Sequence, residues 1–593
     1  MGWLYQFIHA DATLRHTRRV LLDRYALIAQ ASPLVLVLLV LVGRITRHIH
    51  RRWFSTSTNR DATYAAIPGS PSAKRPGKKI ASSWVSASLR KALWWLDTPV
   101  EFAGWGLGRR DELILGGIWT TWLLFLCVND AGNDYFLLTK KFASVGTSQL
   151  PLQYILASKR VNSVALALGK SHEEINRWHR GLGWIVFSLI FSHGALYLNY
   201  YVQVGGLTAA FFRVVPALGM LGLSSMTLLS TTTLAVLRRY SYRFFYITHI
   251  LVALALPVVI WFHVPHGRWF MAESLLVLLI DMATRRFTSV NASAAVEMVP
   301  GADLIKVTAR VPLSKIRRFA QHPASHVYLS IPSGSRPGRN LLSPPNLALG
   351  LTSNPFTIAS VNEETSELTL VARRMQGPMT NTLTKLASLH APDTARVALR
   401  MDGPYGATRH FPDWANAGFD RVLLVAGGVG ATFVVPLYRH IASEVPSTTR
   451  VELDWAVRDA SETAWLESTA GAGLFGDVND NDTHLFVTGS RRGRSGSAAG
   501  SSDGSEGDDL EMNRLEKSVE STLVRETRNR LTEQHGRPDL QEIVSGVFGH
   551  NRHHRVAVVV CGPPKMGCDV RDAVRSWVQK GRDVWFHSEG FGW

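Results

Sequence analysis

Cysteine is nearly missing from this chain of 593 residues: only Cys127, Cys561 and Cys568 are present. Three such residues cannot build a disulfide framework, and no CxxC or zinc-type Cys/His spacing occurs. Charge is also scarce, at 19% of residues. The scarcity is uneven, since 111–284 is apolar in nearly every stretch while 287–593 reads as ordinary soluble sequence. That split excludes a disordered, a fibrous and a wholly soluble chain. Acid is the sign in deficit, with 46 Asp and Glu against 64 Lys and Arg and a net charge of +18. On one soluble face such an excess would indicate nucleic acid. Here it flanks apolar runs instead, so nucleic acid is excluded as a partner and a lipid bilayer takes its place.

A bilayer core requires roughly 20 apolar residues per helix. Runs of that kind predict spans near 24–43, 111–128, 150–168, 182–203, 211–236, 243–263 and 268–284. The first is followed by Gly43-Arg44-Ile45-Thr46-Arg47 rather than by a small-residue cleavage site, which marks an uncleaved anchor. Lys and Arg gather in 44–110, at Arg177 and Arg180, at Arg238, Arg239 and Arg243, and at Arg285 and Arg286. With seven spans these segments share one side with the C-terminal half, and the positive-inside rule makes that side cytosolic. Arg15, Arg18, Arg19 and Arg24 then fall on the opposite side. Segment 54–84, rich in Ser, Thr, Pro and Lys, reads as a flexible linker.

Four histidines stand in this apolar sequence: His179 and His193 on the fourth predicted span, His249 and His263 on the sixth. Within each pair the separation is 14 residues, which returns to nearly the same helix face after a rise of about 21 Å. Both helices run in the same direction under the predicted topology. His179 therefore faces His249 at one depth, and His193 faces His263 at another. Two planes of paired imidazoles are what two bis-histidine haems need. His172 and His266 lie outside this register, and Gly181, Gly183 and Gly194 beside the ligands would admit a macrocycle.

The soluble half begins with short alternating runs at Ala295–Val299, Leu304–Val311, His326–Ile331, Leu368–Arg373 and Arg396–Met401, which predict an antiparallel barrel. After Arg421 apolar strands alternate with helical stretches, as in an open α/β sheet. Leu423–Thr432 contains a strand, a Gly427-Gly428-Val429-Gly430 turn and the start of a helix, a form suited to a pyrophosphate. Val556–Val560 running into Cys561-Gly562-Pro563-Pro564 is a second strand of this kind. Residues 489–509 carry almost nothing apolar and read as a disordered insertion leading into a polar helix at 510–533.

From 105 onward the chain resembles the ferric reductase and NADPH oxidase superfamily. Ser353-Asn354-Pro355-Phe356-Thr357-Ile358-Ala359-Ser360 is similar to its His-Pro-Phe-Thr flavin motif, with Asn354 where the family usually has histidine. By that likeness Phe356 would lie against the isoalloxazine and Thr357 would hydrogen-bond near its reactive nitrogen, with Pro355 and Ser360 in the same motif. Arg373, Gly377 and Thr380 resemble the family's flavin-pyrophosphate segment, and Asp402-Gly403-Pro404-Tyr405-Gly406 its turn between subdomains. Gly427, Gly428, Gly430 and Thr432 resemble the nucleotide loop, and Cys561, Gly562 and Pro563 the nicotinamide-side turn. Arg458 stands where the family's arginine meets the adenosine 2′-phosphate, which implies NADPH. Gly536-Arg537-Pro538-Asp539 resembles a further family turn, and Phe591 an aromatic that shields the flavin.

The resemblance implies an α-helical transmembrane haem bundle followed by a ferredoxin-reductase-like FAD barrel and an α/β nucleotide-binding domain. The expected divisions are 1–104 (anchor helix and basic linker), 105–286 (haem bundle), 287–415 (FAD barrel) and 416–593 (NADPH domain). The implied cofactors are FAD, two b-type haems and NADPH. The implied activity is that of a fungal-type ferric-chelate reductase passing electrons to a ferric or cupric acceptor, in the plasma membrane or an intracellular membrane. A superoxide-producing oxidase is the alternative. Between His249 and His263 there are 13 residues, one more than is usual in the family's oxidase branch, which favours the metal.

Overall fold

The computed structural model describes residues 5–9, 11–54, 84–102, 105–336, 346, 349–350, 352–389, 396–466, 482–489 and 532–590. The chain divides into two compact units, Met1–Ser82 with Trp95–Thr288, and Ser83–Trp94 with Ser289–Trp593.

The first unit opens with α1 (Ala12–Phe54), and α2 (Trp84–Leu96) falls on the division. A hairpin of β1 (Pro99–Phe102) and β2 (Trp105–Arg109) leads into α3 (Arg110–Val128). There follow α4 (Tyr135–Ser148), α5 (Leu150–Ala157), α6 (Ser163–Leu168), α7 (His172–Gln203) and α8 (Leu207–Phe211). The unit ends with α9 (Val214–Thr233), α10 (Ala235–Tyr240), α11 (Tyr242–His263) and α12 (Arg268–Thr288). Among the described residues, α1, α3, α7, α9 and α11 are the 5 helices long and apolar enough to cross a membrane. Leu39, Ile118, Leu221 and Phe262 point outward from them, as lipid-facing residues do, while Ile175, Leu182, Val186, Leu256 and Ile260 pack inward. This is a multi-pass membrane bundle.

Three expectations are corrected here, the first being that 268–284 is a span: α12 is one helix but is not among the five apolar enough to cross. The predicted span at 150–168 is not one helix. Ser158–Asn162 is a turn, its Arg160 and Val161 N–H groups donating to buried Asp281 on α12 at 2.8 and 3.3 Å. Asn162 then caps α6 through the Ala165 N–H. A helix through Lys159 and Arg160 would carry two charges into the apolar run, and α5 stops before them at Ala157. The predicted span at 211–236 is likewise broken, with α9 beginning only at Val214. Arg18, on the wrong side for topology, is an internal group: it pairs with Asp134 at 2.5 Å and donates to the Ile8 carbonyl at 2.8 Å.

The second unit begins with β3 (Val290–Met298), β4 (Leu304–Arg310), α13 (Leu313–Ala320), β5 (His326–Ser330), β6 (Asn354–Asn362) and β7 (Glu367–Arg373). With α14 (Pro378–Leu389) and β8 (Val397–Tyr405) these make a closed barrel in the order β3-β4-β7-β6-β5-β8. Alternation fills its interior, where Val307, Val327, Phe356, Leu370 and Met401 meet.

The chain continues through β9 (Arg421–Gly427), α15 (Ala431–Glu444), β10 (Arg450–Val457), β11 (Thr483–Val487) and β12 (Thr532–His535). It ends with α16 (Leu540–Gly549), β13 (Arg555–Cys561), α17 (Pro564–Gln579) and β14 (Asp583–Glu589). All pairings in this sheet are parallel, in the order β12-β11-β10-β9-β13-β14. The order reverses between β9 and β13, and open sheets bind ligands at such a point. All of the insertion but Gly489, and most of the expected polar helix, lie outside the described residues; the last two positions of that helix, Thr532 and Glu533, are strand instead, because they pair with β11.

Candidate functional site

The four membrane histidines meet in pairs. His179 and His249 have ring centres 6.0 Å apart, and those of His193 and His263 are 6.5 Å apart. Two imidazoles on opposite sides of one metal, each nitrogen about 2 Å from it, would have ring centres about 6 Å apart. Three of the four other ring nitrogens are also accounted for. Nδ1 of His179 lies 3.0 Å from the Gln153 carbonyl, Nδ1 of His193 2.8 Å from that of Thr139, and Nδ1 of His263 2.8 Å from that of Val215. An imidazole that donates from Nδ1 to a carbonyl presents the Nε2 lone pair for ligation, the usual second-sphere arrangement of a metal-bound histidine. His249 differs, its Nδ1 being buried with no hydrogen bond among the described residues. The residues present therefore fit a haem at each pair, which His179 with His249 and His193 with His263 would hold.

His172 and His266 belong to neither pair. His172 sits 3.2 Å from Glu173, and His266 is held 2.9 Å from the Arg19 guanidinium. Of the three glycines beside the ligands, Gly194 is pressed by Leu223 and Gly183 by Gln153, while Gly181 faces open space. A glycine outside that set is tied directly to a ligand: a Cβ on Gly219 would come within 2.8 Å of the His263 ring.

In the second unit a pocket is lined by His326, Pro355, Thr357, Gly406, Phe433 and Glu589. Side chains alternate along β6, so Pro355 and Thr357 line the pocket while Phe356 is buried in the barrel core. Phe356 thus packs in the barrel core and not on the wall of this pocket, where the resemblance had set it against the isoalloxazine. Asn354, at the exposed start of β6, is not among the residues lining the pocket, and Ser360 is half-buried further along the strand. Gly406 has φ +127°, a conformation that only glycine adopts easily, and it lies against the His326 ring. Arg373 pairs with Glu462 at 2.9 Å, while Thr380 at the start of α14 donates to the Met375 and Gly377 carbonyls.

The two glycine turns expected to hold the nucleotide touch each other. A Cβ on Gly427 would strike Pro563, one on Gly562 would lie 3.1 Å from Gly427, and one on Gly430 would lie 2.2 Å from the Cys561 carbonyl. Gly428 has φ +53°, and its carbonyl accepts from Trp455 Nε1 at 3.0 Å. Bare backbone at the ends of adjacent strands is what a phosphate-bearing ligand can approach. Thr432 takes no part in that surface: its hydroxyl is buried and donates to the Val429 carbonyl at 2.9 Å. Arg458 is exposed just past β10, and its carbonyl accepts from Gly489 N–H at 2.9 Å. The Cys561 thiol is buried, and burial raises its pKa well above the ordinary range, so it remains protonated. Asp539, in the Gly536–Asp539 turn, caps α16. Phe591 lies outside the described residues.

Sequence reasoning missed His326, Phe433, Trp455, Gly219 and the carbonyls of Gln153, Thr139 and Val215. It also missed β6 as a strand, since Pro355 and the polar residues around it break the apolar alternation. A carbonyl leaves no trace in sequence because every residue has one.

Comparison with known proteins gives three family matches. Residues 142–260 match “Ferric reductase like transmembrane component”, 289–409 match “FAD-binding domain”, and 419–575 match “Ferric reductase NAD binding domain”. Among curated proteins, “Probable metalloreductase AIM14” of Scheffersomyces stipitis is 22% identical over 86% of this chain and 91% of its own length. “Ferric/cupric reductase transmembrane component 2” of Schizosaccharomyces pombe is 22% identical over 73% of this chain and 77% of its own length. “Ferric reductase transmembrane component 1” of the same yeast is 23% identical over 51% and 56%.

Proposed function

Because the chain belongs to the ferric reductase family, we propose that it carries electrons from NADPH through FAD and two b-type haems to a ferric chelate or cupric ion across the membrane. The observation that carries this reading is the pair of imidazole planes, with ring centres 6.0 and 6.5 Å apart, inside the helices α7 and α11. FAD supplies the exchange between the two electrons of a hydride and the single electrons that haem iron accepts.

The chain's own residues orient and insulate. The carbonyls of Gln153, Thr139 and Val215 fix the tautomer of three ligands. In the soluble unit Thr357 and His326 offer polar atoms toward one wall of the flavin pocket, and Glu589 lies at the opposite strand end, 2.9 Å from His587 Nε2. The Gly427–Gly430 and Cys561–Pro563 turns hold the dinucleotide by backbone, and Arg458 takes the 2′-phosphate. Residues 105–286 form the haem bundle, 287–415 the FAD barrel and 416–593 the NADPH domain, with 1–104 as anchor and linker. The plasma membrane is the proposed location, where an acceptor would be met outside the cell; cell fractionation tests it.

Dioxygen as acceptor is not favoured, since relatives over most of the chain are named for metal reduction. The deciding experiment follows NADPH-driven ferric chelate reduction and superoxide formation in the same membranes, with and without superoxide dismutase. Iron reduction that persists with dismutase is expected. Its loss would make superoxide the product and the iron a secondary target.

A further inference from the structure

The His263 imidazole lies against α9, a helix that supplies no histidine of its own. Its Nδ1 is 2.8 Å from the Val215 carbonyl, and a Cβ built on Gly219 would come within 2.8 Å of its Cε1. Val215, Gly219 and Leu223 recur at four-residue intervals, so they share a face of α9. Leu223 carries that face on to α7, where a Cβ on Gly194, the neighbour of His193, would come 2.7 Å from its side chain. One face of α9 thus touches His263 directly and the chain beside His193.

Helix geometry explains why residue 219 has no side chain. Within an α-helix the N–H of residue 219 donates to the carbonyl of residue 215, which leaves that oxygen one lone pair for an outside donor. Side chains tilt toward the helix N-terminus, so a side chain at 219 leans over the turn that carries this carbonyl. Any bulk there narrows the approach to the lone pair, and the His263 ring stands where the Cβ would be. The other two accepting carbonyls have the same spacing in milder form. Four residues after Gln153 comes Ala157, and four after Thr139 comes Ala143. A small residue follows each carbonyl that faces a histidine Nδ1, and Gly219 is the extreme of the three.

We infer that Gly219 is a positioning residue: by carrying no side chain it keeps the Val215 carbonyl open to His263, and so fixes the rotation of that ring and its 75° angle to the His193 ring. The inference rests on the proposed role of these histidines as haem ligands. It gives α9 control over one haem and not the other. Two consequences follow from ligand chemistry. An imidazole hydrogen-bonded from Nδ1 is the more basic ligand and favours ferric iron. The angle between two axial imidazole planes sets the g values of a low-spin ferric haem.

The test compares Gly219→Ala with Gly222→Ala in the full chain. Gly222 lies on the same helix and faces the same neighbour, but a Cβ there would sit 3.7 Å from Val259 of α11, an ordinary contact. Haem per chain, the electron paramagnetic resonance spectrum of the oxidised protein and a redox titration are recorded for both variants and the parent. In Gly219→Ala one of two low-spin signals is expected to shift its low-field g value while the other stays in place. At the parent's midpoint potential, the reduced-to-oxidised ratio of that haem should rise about fivefold, the size of one lost hydrogen bond. Gly222→Ala should match the parent throughout. Loss of one haem from Gly219→Ala with the other signal unchanged also supports the assignment, because a single ligand plane has been displaced. Gly219→Ser gives a second reading should the alanine variant fail to assemble. Spectra and titration identical to the parent overturn the inference. Equal changes in the Gly219 and Gly222 variants, or changes in both haem signals, also overturn it, since they would reflect helix packing at large. A parent protein without two low-spin haems would overturn the haem reading itself and this inference with it.

Discussion

At the scale of single residues, the flavin strand shows how much depends on which way a side chain faces. Asn354 replaces the histidine usual in the family motif, yet it is exposed at the strand start while Thr357 lines the pocket. Asn354→His is therefore expected to leave flavin content within about twofold of the parent, whereas Thr357→Val loses a hydrogen bond and about 1 kcal/mol of flavin binding. Flavin released on denaturation, measured against haem, checks both. Arg458 gives a second prediction. Its guanidinium is exposed beyond β10 with its backbone held by Gly489, so Arg458→Ala removes a phosphate partner without disturbing the sheet. The KM for NADPH should rise roughly tenfold to a hundredfold, as a charge-assisted hydrogen bond of about 1.5–3 kcal/mol implies. The KM for NADH should not move, because NADH has no 2′-phosphate. Equal losses with both nucleotides would remove Arg458 from the site.

At the scale of elements, neighbouring strands carry a pH dependence into the nucleotide sheet. His484 on β11 lies 2.9 Å from the buried Asp454 carboxylate on β10, and that hydrogen bond raises the imidazole pKa above its ordinary 6.5. A group whose pKa is raised by folding stabilises fully below its unfolded pKa and loses that contribution as pH rises through the folded one. Hydrogen exchange of the β10 and β11 amides should therefore be slower in the parent than in His484→Gln below pH 6.5, by about 1 kcal/mol of opening free energy. The gap should close as pH rises past the raised value. A gap independent of pH would mean that the pair does not titrate. The paired glycine turns are a second element-level feature. They allow β9 and β13 to bring their carboxyl ends together, with Gly430 against the Cys561 carbonyl.

At the scale of the whole molecule, the two histidine planes separate the functions of two halves of the chain. His263→Leu keeps apolar bulk in α11 but removes one ligand of the plane shared with His193. Haem content should fall from two per chain toward one, ferric chelate reduction should stop, and NADPH-driven flavin bleaching should continue. Two full haems with normal metal reduction would sink the assignment of His263; His266 would not be its natural substitute, being held by Arg19. The bundle and the histidine pairs are legible in the sequence because what encodes them is local. Long apolar runs and a 14-residue interval need no distant partner, and helix geometry alone converts that interval into a shared face. The glycine turns after β9 and β13 are legible for the same reason. Tertiary packing decided the rest: that α5 ends before Lys159 and Arg160, where Asp281 of α12 holds the turn, that Phe356 fills the barrel while Thr357 meets the pocket, and that three particular carbonyls orient the ligands. Each of these depends on a contact between segments distant in the chain, and the groups involved, a carbonyl or one side of a strand, are available at every position until the fold selects among them.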